Sequence, residues 1–284
     1  MLLPPSGDGL EARPRAHARA AVRRRHLVVV SDVHDVAVEG FTKGTDAYER
    51  ARPSYPPAAV DFVVRELGIG PASTVVDLAA GTGKLTRLLV PTGATIIAVE
   101  PVEAMRAKLV EVVPGVEVRD GTAEALPLGD ASVDCVTVAQ AFHWFRARDA
   151  LGEIDRVLRP GGGLALIWNS RDVSVPWVTR LNQVIRWNRG QIPAYDSGAE
   201  DWAALVADAG GFTPLQFTSF RHEQEMDLPL LLDRVSSTSY IAALADDDRA
   251  RLLDDVRALV SEAGLAEHFA LPHRTDLYWC TKQA

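Results

Sequence analysis

The sequence predicts an α/β fold, a mostly parallel seven-stranded sheet with helices on both faces, and three observations predict it. Short apolar runs alternate with longer segments of helical spacing from residue 56 to residue 168. Most of those short runs are apolar nearly throughout, which suits strands buried on both faces. Gly and Pro punctuate the changes between them, giving the β-α-β-α rhythm of parallel strands joined by crossover helices.

Residues 56–67 (PPAAVDFVVREL) open with Pro-Pro at a helix start and place Val60, Val63, Val64 and Leu67 at helical spacing, ended by Gly68 and Gly70. Thr74 to Leu78 reads as a strand whose polar residue is Asp77, followed by the turn Ala79-Ala80-Gly81-Thr82-Gly83 and a helix over Lys84 to Val90. Thr95 to Val99 is a second buried strand ending in Glu100, and Glu103 to Val112 is helical. Val116 to Arg119 and Val133 to Ala139 are further strands, and Asp149 to Leu158 is a helix stopped by Pro160 and the glycines 161 to 163. Leu164 to Trp168 is the fifth strand. Beyond it, Ser174 to Trp187 and Ala199 to Ala209 read as helices, and Leu215 to Glu225 alternates like a strand. Residues 228–264 are helical segments, and Thr275 to Thr281 is a final strand. Helices lying between the last strands predict a lid over one end of the sheet, built from about 41–56, 172–210 and 228–264.

Composition bounds the function. With 284 residues, 47% hydrophobic and 24% charged, the chain has enough apolar material for one large domain. A net charge of -8 argues against a nucleic-acid partner, whose footprint is a basic surface. Cys135 and Cys280 are far apart, which gives neither a disulfide framework nor a zinc site and fits a reducing, cytoplasmic setting. No apolar run approaches the roughly 18 residues of a membrane helix. Residues 1–40 differ from the rest: up to His26 they hold six arginines against Asp8 and Glu11. An arginine-rich, acid-poor start is what a transit peptide would show. A disordered extension preceding a domain over 41–284 is the simpler expectation.

The turn between Asp77 and Lys84 carries the chemistry. A glycine-rich turn between a strand and its helix lets a ligand approach backbone that side chains would block. Glu100 follows Gly83 by 17 residues, the span of one β-α-β unit, and ends the second strand where an acid can accept from ribose hydroxyls. Two phosphate-binding readings fail on the letters. A P-loop requires glycine at Leu78 and Ser or Thr at Leu85, and a dinucleotide fingerprint requires a third glycine at Thr86.

With those residues in place, the chain resembles the class I methyltransferases and, among them, the type 11 small-molecule group, from about Phe41 to the C-terminus. The first family motif is matched by Asp77-Leu-Ala-Ala-Gly-Thr-Gly83, departing at Ala79, where glycine is commoner. The resemblance implies a Rossmann-like sheet and S-adenosylmethionine as cofactor. It assigns Asp77, Ala79, Gly81 and Gly83 to the cofactor turn, Glu100 to the ribose, and Pro101 to Met105 to a segment beside adenine. Asp120 to Pro127 corresponds to the loop after the third strand, where Thr122 and Ala123 would flank adenine. Gln140 to Phe145 (QAFHWF) ends the fourth strand beside the transferable methyl, and Leu158 to Gly163 matches the turn before the fifth. Upstream, FTKGTDAYERARPSYP resembles an arm that folds over the cofactor, with Tyr48 and Arg52 on the cofactor and Tyr55 toward the acceptor.

Methyl transfer from a sulfonium is an in-line displacement in which alignment supplies most of the rate. A general base is needed only for a protonated acceptor. His143 is the candidate base, with a pocket-wall role for His143 and Trp144 as the plain alternative. Trp144, Trp168 and Asn169 are candidates for the acceptor site, beside packing roles for the same residues. His222, His268 and His273 show no metal-ligand spacing. The expectation is an S-adenosylmethionine-dependent methyltransferase acting on a small-molecule acceptor, with no metal, nucleic acid or membrane partner. Two alternatives stay open at this stage: a catalytically idle cofactor-binding regulator of the same fold, and a nicotinamide-dependent oxidoreductase. The acceptor and the oligomeric state are not legible in the sequence.

Overall fold

The structure, a computed structural model, describes residues 49–186, 200–242 and 244–283. The expectations placed on 1–48, Phe41 and Tyr48 among them, and those on 187–199, lie outside the described residues.

After a helical turn at 49–51, the described elements run α1 (Pro57–Glu66), β1 (Thr74–Leu78), α2 (Thr86–Leu89), β2 (Thr95–Val99), α3 (Glu103–Val112), β3 (Glu117–Arg119) and β4 (Val133–Ala139). They continue with α4 (Ala147–Val157), β5 (Leu158–Arg171), α5 (Pro176–Arg186), α6 (Glu200–Ala209), β6 (Gln216–Asp227), α7 (Leu228–Ser236), α8 (Ser239–Ala242), α9 (Asp246–Glu262) and β7 (His268–Thr281). The seven strands form one sheet in the order β3-β2-β1-β4-β5-β7-β6. β1 to β5 are parallel, and β7 runs antiparallel to both β5 and β6. The expected mostly parallel seven-stranded sheet is what forms.

Alternate residues of the inner strands feed cores on opposite faces of the sheet. Val76, Val136, Leu164 and Leu166 pack with Leu151, Ile154 and Val157 of α4 and with Trp202 and Val206 of α6. Val75, Cys135, Ala165 and Ile167 pack with Ala59, Val60 and Val63 of α1 and with Leu89 of α2. Burying both sides is why these strands are apolar nearly throughout, with Asp77 and Thr137 as buried polar exceptions.

Three elements differ from the sequence expectation. The second helix is only one turn long, because Pro91 lacks the N–H that would continue it, and the chain passes into a 3-10 turn at Val90–Thr92. β5 starts at Leu158 rather than Leu164, since Leu158 pairs with Val133 and β7 holds every residue from Gly163 to Arg171. β7 begins at His268, ahead of a proline that interrupts the strand pattern. Pro272 lies just beyond the last β5 pair, and its carbonyl accepts from the Asp172 N–H at 2.9 Å, so the proline stands at the end of that ladder.

Past the end of β5, β6 and β7 continue together from Glu223–Pro272 to Asp227–His268. Met226, Phe269 and Leu271 of this extension form a separate apolar cluster with Val178 and Leu181 of α5, Leu231 and Val235 of α7, and Val256 and Leu259 of α9. Asp227 caps α7 by accepting from the Leu230 N–H at 2.7 Å. The segment expected as a lid thus divides: α5 and α7 to α9 share this cluster, while α6 packs into the main core beside α4.

Candidate functional site

The site begins where β1 ends. Ala79, Gly81 and Gly83 all take left-handed backbone angles, with φ of 54°, 57° and 81°. The turn folds against β2: the Ala80 N–H donates to the Val99 carbonyl at 3.2 Å and the Gly83 N–H to the Ala80 carbonyl at 2.9 Å. Gly83 is required by packing as well. A Cβ there would lie 3.0 Å from both Leu109 Cγ and Val113 Cγ2 of the α3 segment.

Two buried carboxylates support this turn from below. Asp77, 1% exposed, accepts from the Thr86 hydroxyl at 2.6 Å and the Thr137 hydroxyl at 3.3 Å. Burial raises its carboxyl to about 6, against the lowering effect of those hydroxyls. Glu100, 4% exposed, accepts from the Gly81 N–H on one oxygen and from the Val102 N–H on the other, each at 2.9 Å. Burial raises its pKa, and the two backbone N–H groups oppose that. Arg106 donates to the carbonyls of Glu100 and Pro101 at 2.8 and 2.7 Å and to Asp120 at 3.0 Å, holding the end of β2 against the loop after β3.

Above the turn lies a cleft of about 510 Å³, counting its mouth open to solvent. Its floor is Ala79 to Thr82 with Lys84 and Leu85, and its far wall is Ala139, Gln140 and Asn169 at the ends of β4 and β5. It sits outside the carboxyl ends of β1, β4 and β5, where open α/β sheets bind ligands. Gln140 holds a left-handed φ of 63°, and its amide donates to the Asn169 carbonyl at 3.0 Å. Asn169 is fixed in turn, donating to the Ser54 carbonyl at 3.1 Å and accepting from the Thr275 hydroxyl. Arg52, Pro53 and Tyr55 enter from the arm preceding α1, and Arg234 enters from α7.

Of the residues singled out in the sequence, the fold brings Arg52, Tyr55, Ala79, Gly81, Gln140 and Asn169 to this cleft. Gly83 closes the turn, and the buried Asp77 and Glu100 support it. Met105 is buried, its sulfur 3.7 Å from where a Gly81 Cβ would sit. Pro101 follows Glu100 into α3, with its carbonyl taken by Arg106. Ala123 is buried in the main core, and Thr122 forms an isolated bridge with Ala125 across the loop after β3. His143, Trp144 and Trp168 are not among the residues lining the cleft. The His143 ring is 4.7 Å from the rings of both Trp144 and Trp168. Burial, with the Arg52 charge nearby, pushes its pKa down to about 4, so the ring is neutral near pH 7. The neutral ring packs against both indoles.

Sequence reasoning missed Lys84, Leu85 and Arg234 of the lining, and Glu49 of the arm. Lys84 is adjacent to the glycine turn and could have been found from it. Arg234 arrives from a helix some 150 residues downstream of the turn, and no local pattern marks it.

A methyltransferase-domain family model matches residues 76–166, from β1 into β5. An uncharacterized methyltransferase of Mycobacterium tuberculosis is 40% identical over 237 residues, covering 84% of this chain and 90% of the relative. An uncharacterized methyltransferase-like protein of Schizosaccharomyces pombe is 34% identical over 252 residues, covering 87% and 97%. Among solved structures, a Haemonchus contortus phosphoethanolamine N-methyltransferase in complex with phosphomonomethylethanolamine and S-adenosylhomocysteine superimposes with a TM-score of 0.55. It is 15% identical and spans 91% of this chain and 61% of that one.

Proposed function

The chain belongs to the class I S-adenosylmethionine-dependent methyltransferases, and we propose that within this family it methylates a small-molecule acceptor in the cleft above Ala79 to Leu85. The observation that carries the reading is the enclosure of that cleft. The arm bearing Arg52, Pro53 and Tyr55 and the helix bearing Arg234 stand over a space of about 510 Å³, mouth included. A concave site with a few converging polar groups is the kind that small molecules fill. A macromolecular side chain would have to pass the same walls.

The residues present fit the cofactor. Ala79, Gly81 and Gly83 give the turn its left-handed backbone, and at Gly81 the floor of the cleft carries no side chain. Glu100 uses one lone pair on each oxygen for Gly81 and Val102, which leaves acceptor capacity for ribose hydroxyls. Pro101, Met105, Thr122 and Ala123 would bound the adenine. Arg52, and Tyr48 upstream of the described residues, would serve the methionine end. When bound, the cofactor supplies an electrophilic methyl group on a sulfonium.

The protein's own part is positioning. Gln140 and Asn169 are held rigid by the Asn169 carbonyl, Ser54 and Thr275, and so present fixed polar groups at the acceptor wall. Tyr55, buried at the arm, would face the acceptor, with Trp144 and Trp168 backing that wall through His143. Alignment of the acceptor atom with the methyl carbon is the source of rate in such a site. The test is incubation with methyl-labelled cofactor and a fractionated metabolite mixture. Label is expected in a low-molecular-weight product; label confined to protein or nucleic acid would overturn the small-molecule reading.

A further inference from the structure

The described part of the arm over the cleft, residues 49–55, is fastened on two sides. On the side of β5, β6 and α7 the contacts are made by the Ala51 and Ser54 carbonyls and by two guanidinium groups, Arg52 and the exposed Arg50, the latter 3.7 Å from Asp233. Gln224 donates to the Ala51 carbonyl at 3.2 Å, Arg52 donates to the Ser237 carbonyl at 3.1 Å, and Asn169 donates to the Ser54 carbonyl at 3.1 Å. On the glycine-turn side it is held by one carboxylate, Glu49. The Thr82 hydroxyl donates to Glu49 Oε2 at 2.5 Å, Arg87 donates to Oε1 at 2.6 Å, and Lys84 reaches both Oε1 at 3.4 Å and the Glu49 carbonyl at 2.7 Å. The Glu49 side chain is 15% exposed. Burial pushes its carboxyl up, but the Thr82 hydrogen bond and the charges of Lys84 and Arg87 outweigh that and hold it below the usual range. Its anionic form is therefore the one the site is built around.

The three partners are not arbitrary surface groups. Thr82 and Lys84 belong to the turn that floors the cleft, and Arg87 also donates to the carbonyls of Gly83 and Thr82 at 3.2 and 3.4 Å. Glu49 thus grips the turn itself, and three residues later the same arm delivers Arg52 into the cleft.

We propose that Glu49 is a positioning residue for the cofactor: it locks the arm onto the glycine turn, so that Arg52 and Tyr55 cover a ligand only while the turn holds its binding shape. Charge-assisted hydrogen bonds in a largely buried setting are strong enough for this, about twice as strong as neutral ones. The role rests on the cleft being the cofactor site.

The experiment is titration of the full chain with S-adenosylhomocysteine by calorimetry and stopped flow, with trypsin cleavage after Arg50 as a second readout. Glu49→Gln is expected to raise Kd about tenfold through faster dissociation, which corresponds to about 1.4 kcal/mol. Arg87→Met should do the same, and the double variant should be no weaker than either single variant. The ligand should slow cleavage after Arg50 in the wild type and fail to do so in Glu49→Gln. A merely structural contact would lower the melting temperature and leave that ligand-dependent protection intact. A Kd within twofold of wild type, or retained protection in Glu49→Gln, overturns the proposal. Absence of binding by the wild type would instead overturn the cleft assignment. Should Glu49→Gln fail to fold, Thr82→Val, which removes one hydrogen bond and keeps the shape, carries the same test.

Discussion

Glu100 Oε2, at the end of β2, accepts a hydrogen bond from the Gly81 backbone N–H at 2.9 Å. The acid expected to serve the ribose therefore also fastens the turn that follows β1, and one side chain joins the two halves of the site. Replacing it by glutamine puts an amide NH2 against one of two backbone donors. Glu100→Gln should weaken S-adenosylhomocysteine binding at least tenfold and cost about 1–3 kcal/mol of stability, the penalty of a buried polar group left without its partner. Calorimetry and urea unfolding measure the two effects. Adenosine, which keeps the ribose and lacks the methionine part, should lose affinity by a similar factor. An adenosine affinity that does not change would remove Glu100 from the ribose.

Ala79 carries a left-handed φ of 54°, a conformation that glycine adopts without strain. An L-residue in this region is strained by about 1–2 kcal/mol, partly offset by the extra freedom glycine has in the unfolded chain. Ala79→Gly should stabilise the protein by about 0.5–1 kcal/mol, seen as a rise of a few degrees in melting temperature. A lower melting temperature would show that the methyl packs usefully in the turn.

Gly83 makes the opposite case. With φ of 81° and a Cβ 3.0 Å from Leu109 and Val113, alanine would add strain and a clash together. Gly83→Ala should destabilise the protein by about 2–4 kcal/mol, as overpacking adds to the left-handed penalty. Urea unfolding checks it, and a change under 1 kcal/mol would mean that α3 shifts at little cost.

Asp77 gives the pH dependence. Its folded value of about 6 lies above the ordinary carboxylate value of 3.8, so the folded state holds this proton more tightly than the unfolded chain does. Stability from the group is fully present below pH 3.8 and is lost as pH rises through about 6. The shift corresponds to about 3 kcal/mol. Asp77→Asn removes this contribution, so the stability of that variant relative to wild type should grow by about 2–3 kcal/mol between pH 4 and pH 7. A constant difference across that range would show that Asp77 is ionised throughout.

His143, packed against Trp144 and Trp168, should behave as a packed ring. His143→Leu is expected to lower stability by about 1–2 kcal/mol, as ring packing is lost, and to leave S-adenosylhomocysteine affinity unchanged. A fall in kcat of more than tenfold at unchanged melting temperature would return the residue to the role of base.

Much of this protein was legible residue by residue. The strands Thr74–Leu78, Thr95–Val99 and Val133–Ala139 and the helix Glu103–Val112 read directly from apolar runs and spacing, because local burial patterns are written locally. The turn at Gly81 and the acid Glu100 were visible for the same reason: a single β-α-β unit places them in a fixed relation. The sequence by itself determined the parallel half of the sheet, the turn and the cofactor class. Tertiary structure alone decided that β5 begins early against β4, that β7 begins early against β6, that α6 joins the main core, and that His143 packs against two tryptophans. It also brought Arg234 to the cleft and closed Glu49 on Thr82, Lys84 and Arg87. Each of these depends on groups that lie far apart in the chain or on competing contacts around one side chain, and neither leaves a periodic trace in the sequence.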